Sequence, residues 1–76
     1  MDQGNKIGKI KDYDGFAGTI ITEQQDYIFN KNDVEELNDE NIQDGDLVTF
    51  AENTVTFGDE QIKVARFVKV LKKNKN

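Results

Sequence analysis

Lys9 and Lys11 stand two residues apart, and Tyr13 and Phe16 flank the Asp14-Gly15 pair that follows. Alternation with Ile10 places both ammonium groups on one strand face, where they can hold neighbouring phosphates. A ring on either side of a turn can stack on a base. The same lysine pair can also serve solubility or protect a sheet edge, and rings beside a turn can cap the end of a small barrel. Asp12 and Asp14 share a face and could pair as general acid and base, but no nucleophile adjoins them and a chain this short offers little to desolvate them.

Other catalytic and metal chemistry is poorly supplied. The chain has no histidine and no cysteine, so the usual zinc ligands, the usual proton shuttle and any disulfide are missing. The run from Glu40 to Ala51 has a glycine where a calcium loop needs one, yet Ile42 takes a ligand position and Ala51 stands where a bidentate glutamate is required. No phosphate-cradling glycine loop with a lysine is present. The composition therefore predicts a protein that is not an enzyme and uses no cofactor and no metal.

Seventy-six residues predict one domain near the lower size limit for a core held by apolar burial alone. No apolar run approaches the roughly 20 residues needed to span a bilayer, and the amino terminus lacks the basic and apolar regions of a secretion signal, so a cytoplasmic protein is expected. The net charge of −5 hides an asymmetry: residues 1 to 31 sum to −1, residues 32 to 62 to −10 with no base, and residues 63 to 76 to +6 with no acid. An anionic strand would have to use the first and last segments, because phosphate attraction dominates such binding. The acidic middle could equally be a solvated connection or a surface for a basic partner.

The elements that position these residues read as five strands. The first runs from Lys6 to Tyr13, with Asp14-Gly15 as a tight hairpin turn, and the second from Phe16 to Thr22, with Gly18 marking a bulge or bend. The third spans Tyr27 to Lys31, Tyr27 and Phe29 sharing one face. An acidic connection from Asn32 to Asp44 carries one helical turn near Asp33 to Leu37. The fourth strand covers Leu47 to Ala51. A break or bulge over Glu52-Asn53-Thr54 separates it from Val55 and Phe57, whose parity differs. The last runs from Ile62 to Leu71, giving one domain over 1–71 and a flexible basic tail over 72–76. The expected core is Ile10, Ile20, Tyr27, Phe29, Val34, Leu37, Val48, Phe50, Val64 and Val68. Five short strands with a long third connection predict an all-β, five-stranded Greek-key barrel of the OB type with one short helical turn between strands 3 and 4; an SH3-like barrel is the competing architecture.

Over nearly its whole length the chain resembles the cold-shock domain family. Gly8-Lys9-Ile10-Lys11-Asp12-Tyr13 is similar to the family opening Gly-Lys-Val-Lys-Trp-Phe, and Gly15-Phe16-Ala17-Gly18-Thr19-Ile20 to Gly-Phe-Gly-Phe-Ile. Asp26-Tyr27-Ile28-Phe29-Asn30-Lys31 matches Asp-Val-Phe-Val-His-Phe in outline, and Asp44-Gly45-Asp46-Leu47-Val48-Thr49-Phe50 matches Glu-Gly-Gln-x-Val-x-Phe. The family binds single strands by stacking bases on surface rings. Here its tryptophan falls on Asp12 and its third-strand Phe, His and Phe on Ile28, Asn30 and Lys31. Its second-strand phenylalanines fall on Ala17 and Thr19 if Gly18 is the second motif glycine; if Gly18 is instead an inserted bulge, Phe16 recovers one ring. The resemblance implies weak single-stranded RNA or DNA binding by a monomer through Lys9, Lys11, Tyr13 and Phe16, extended by Lys31, Arg66 and Lys69. The loss of rings opens a second expectation, a protein-interaction module that meets a basic partner through segment 32 to 62.

Overall fold

A computed structural model of the protein describes residues 6–35 and 42–73. They form five strands, β1 (Lys6–Lys11), β2 (Ala17–Ile21), β3 (Asp26–Asn30), β4 (Leu47–Phe57) and β5 (Glu60–Lys72), with a single 3-10 turn over Lys31–Asp33. The sheet order is β1-β2-β3-β5-β4, and β4 returns to pair with β1, so the sheet closes in a ring. All neighbours are antiparallel except β3 and β5, which meet in parallel at Ile28 and Val64. Within the closed part of the sheet the strands bury one face, which is why the apolar residues alternate there; the outer half of the β4–β5 hairpin, Ala51–Phe57 and Glu60–Val64, buries none.

The first hairpin is wider than a two-residue turn. β1 ends at Lys11 and β2 begins at Ala17, because Asp12 takes a left-handed φ of 56° and Gly15 a φ of 94°. The Asp14 carboxylate accepts from the backbone N–H groups of Phe16 and Ala17, each at 2.9 Å, which knits the loop. Gly18 is not a bulge. β2 pairs with β1 and β3 without a register shift, and the glycine is needed instead because Tyr13 lies against it, 3.0 Å from where a Cβ would stand.

The long hairpin also departs from expectation. β4 continues unbroken through Glu52-Asn53-Thr54 to Phe57, and Gly58, with φ 59°, occupies the first of two loop residues, where a II′ turn needs it. The irregularity lies elsewhere: Thr49 pairs with Lys69 but Ala51 pairs with Arg66, so β5 carries one extra residue opposite Phe50. A second shift, between Leu47 and Val48, follows near the end of β5. Within the first bulge Phe67 adopts φ 55°, a conformation that costs a non-glycine residue about 1 kcal/mol or somewhat more. That bulge reverses the parity of β5. Ala65 and Val68 are therefore both buried, while Val64, expected in the core, is only half-buried.

The rest of the expected core is buried, with Ile42 and Ala65 added; Leu37 lies outside the described residues. Tyr27 packs on Phe50 with ring centroids 4.8 Å apart, and its hydroxyl donates to Glu52 at 3.2 Å, so the one polar end of the large core residues is satisfied. The helical turn comes earlier than the expected Asp33 to Leu37. Asn30 caps it by accepting from Asn32 N, while Asp33 accepts from Asn30 N, a reciprocal box that starts the turn at Lys31. At the other end of the chain, strand pairing reaches Lys72, and Lys73 Nζ lies 2.7 Å from the fully buried Asp46 carboxylate, so the expected flexible tail begins in ordered structure.

Candidate nucleic-acid interface

The period-two alternation of β1 buries Gly8 and Ile10 and turns Ile7, Lys9 and Lys11 outward. Pairing carries that outer face across the sheet in rows. Lys11 lies beside Thr19, Thr19 beside Ile28, and Ile28 beside Val64; one row along, Lys9 lies beside Ile21, which lies beside Asp26. The face thus offers two ammonium groups above a strip of aliphatic side chains, with Asp26 as its acid in those rows. Ile28 and Asn30 point outward because Tyr27 and Phe29 take the buried places of β3.

The two candidate rings separate in role. Phe16 is 67% exposed at the loop that joins β1 to β2, and its carbonyl accepts from Lys31 N at 2.8 Å, which brings Lys31 beside it. Tyr13 is half-buried. Its ring stacks on Phe29 at 5.4 Å with planes 18° apart, so one ring face belongs to the core, and its backbone N–H donates to Asp44 at 2.8 Å. Because β2 contains no inserted residue, Ala17 and Thr19 occupy the outward β2 positions and Phe16 stands in the loop.

Electrostatics at the loop oppose a phosphate locally. Hydrogen bonds from the backbone of Ala17 first, then Phe16, hold the Asp14 carboxyl below its ordinary value, so a negative charge stays beside Phe16. Lys11 closes β1 where this loop begins, and Lys9 lies two residues further back along the strand.

The remaining predicted residues fall into two places. Arg66 faces outward on β5, two residues along from Val64, and its Nε lies 3.5 Å from Asp33. Lys69 is exposed further along the same outward side of β5, beside Thr49, which in turn lies beside Ile7. The structure therefore brings Lys9, Lys11, Lys31 and Phe16 around β1 to β3, with Arg66 and Lys69 on the outer side of β5. Two exposed residues escaped the sequence reading. Lys72 joins Lys9 across Leu47, since β5 runs one residue further than expected. Phe67 is exposed, as alternation from the buried Val68 requires; it is Arg66 beside it that the bulge turns outward.

Among the described residues there is no cluster of carboxylates fit to hold a metal, and no helix is long and apolar enough to cross a membrane. No family model, curated protein or solved structure matches this chain.

Proposed function

We propose that the protein is a divergent cold-shock-like OB barrel that binds single-stranded RNA or DNA weakly through the outer face of β1 to β3. The observation that carries this reading is the outward pair Lys9 and Lys11 set beside the Thr19 and Ile28 row, with Phe16 exposed at the adjoining loop. The closed sheet, with a parallel step between β3 and β5, supports the Greek-key path of an OB barrel. Lys9 and Lys11 would hold phosphates, Phe16 would stack on a base, and Lys31 and Arg66 would extend the cationic margin. Tyr13 contributes by fixing the loop from its seat on Phe29.

Weak binding follows from the ring count. Base stacking is worth about 1 to 3 kcal/mol per base, and aliphatic Ile28 cannot replace it. Each missing platform therefore costs about five- to a hundredfold in affinity.

The rival proposal, an interaction module presenting its acids to a basic protein, is supported less well by the described residues. Asp33 is paired with Arg66, Asp46 with Lys73, and Glu52 with Lys63 and Lys6, while Asp44 accepts from Tyr13 N. Only Asp46 among those carboxylates is fully buried; Asp33 and Glu52 sit in partly exposed ion pairs, and each pair offsets part of the negative charge that a basic partner would meet. The deciding measurement is anisotropy of a labelled pyrimidine-rich oligonucleotide at low salt. Saturable binding below about 1 mM that is lost in Lys9→Ala with Lys11→Ala is expected; no saturation, or no response to the double change, rejects the reading.

A further inference from the structure

The β5 bulge needs a positive φ, which glycine supplies without strain, yet the residue there is Phe67. Its side chain is 68% exposed, so core packing returns little for the strained backbone. The bulge also breaks alternation so that Arg66 and Phe67 both face outward, with Lys69 following on the same side. A ring between two cations, of which Arg66 is also paired with Asp33 at 3.5 Å, is held off the barrel surface where a nucleobase and its flanking phosphates can reach it. Arg66 lies two residues beyond Val64, which ends the Lys11, Thr19 and Ile28 row, so Phe67 extends the same surface around the cylinder. Across β2 and β3, β1 and β5 stand three strand spacings apart, about 14 Å along the sheet, within the reach of a few nucleotides.

We infer that Phe67 is a base-stacking platform for the single strand bound by the β1 to β3 face, with Arg66 and Lys69 contacting phosphate on either side of it. The inference rests on the nucleic-acid reading above and deepens it. The groove beside the ring is lined by Asn32, Asp33, Val34 and Glu35 together with Arg66.

The chain contains no tryptophan, so Phe67→Trp introduces a single fluorophore at the site. Pyrimidine oligonucleotides within the 4 to 16 nucleotides that one such fold covers should quench it saturably, and polyphosphate at equal charge should not. Phe67→Gly should lower oligonucleotide affinity by about five- to a hundredfold with an unchanged or higher melting temperature. Phe57→Ala, which removes an equally exposed ring at the tip of the β4–β5 hairpin, should leave affinity unchanged. Unaltered affinity in Phe67→Gly overturns the inference, as does indole emission from Phe67→Trp that oligonucleotide leaves untouched or that polyphosphate quenches equally. If binding is meanwhile lost in Lys9→Ala with Lys11→Ala, the β1 to β3 reading stands without Phe67. Absence of binding by the parent protein removes both. Should Phe67→Gly fail to fold, the emission of Phe67→Trp decides alone.

Discussion

A Cβ placed on Gly8 would overlap Cγ2 of Ile20, a side chain with no exposure at all, and would stand 2.8 Å from the carbonyl oxygen of Ile21. β1 and β2 approach this closely because the ring is small and its sheet must bend sharply to close. Neither obstacle can yield, since one is a packed core methyl and the other is backbone. Gly8→Ala is therefore expected to destabilise the fold by about 2 kcal/mol, a fall of roughly 8 to 16 °C in melting temperature for a domain of this size. A circular-dichroism melt that stays within a few degrees of the parent contradicts this.

Tyr13 and Phe16 should respond oppositely to truncation. Tyr13→Ala removes a ring stacked on Phe29 and should cost about 1 to 2 kcal/mol of stability. Phe16→Ala removes an exposed ring and should leave the melt unchanged while weakening oligonucleotide binding by about fivefold or more. Paired melting and titration experiments on the two variants check the division.

The acid limb of stability should pass through Glu52. The hydrogen bond from Lys63 is the largest influence holding its carboxyl below the ordinary value of 4.5. A carboxyl depressed in the folded state contributes stability that is fully present above its unfolded value and is lost as pH falls through its folded one. Asp14 acts in the same sense below 3.8, and Lys63, raised by Glu52, acts in the opposite sense above 10.5. Urea midpoints followed from pH 7 to about 3 should fall less steeply in Glu52→Gln than in the parent. Parallel curves would remove Glu52 from the account.

Lys73 should prove to be part of the fold. Asp46 is fully buried, accepts from Gln43 N at 3.1 Å, and has Lys73 Nζ at 2.7 Å. Lys73→Met takes that cation away from the carboxylate and should cost about 1 to 2 kcal/mol, below the usual loss for a broken buried pair because Lys73 itself is partly exposed. Lys72→Met, one residue earlier and exposed, is the control expected to melt like the parent.

Salt dependence should report the lysines separately from the rings. For single strands each phosphate contact contributes about 0.7 to the slope of log affinity against log salt, so Lys9→Ala with Lys11→Ala should reduce that slope by about 1.4. Phe16→Ala should lower affinity without changing the slope. An identical slope in the double lysine variant would place the phosphates elsewhere.

Strand identity and most of the core were legible in the chain because alternation is a local property: Lys9, Ile10 and Lys11 must point out, in and out in any strand, and Tyr27 with Phe29 must share a face. Glycine placement marked the turns at Gly45 and Gly58 for the same local reason. Gly18 was legible as special, but its cause was not, since it depends on Tyr13 folding back from a loop whose width is set by Asp12 and Asp14.

What only the tertiary structure decided is set by closure. Bending five strands into a ring forces an extra residue into β5 opposite Phe50, reverses parity across Phe67, buries Ala65 in place of Val64 and turns Arg66 outward beside Phe67. Alternation carries no information about where a partner strand will demand that extra residue. The pairing of Asp46 with Lys73, and the sharing of Tyr13 between loop and core, likewise join residues far apart in sequence whose meeting depends on the closed path of the chain.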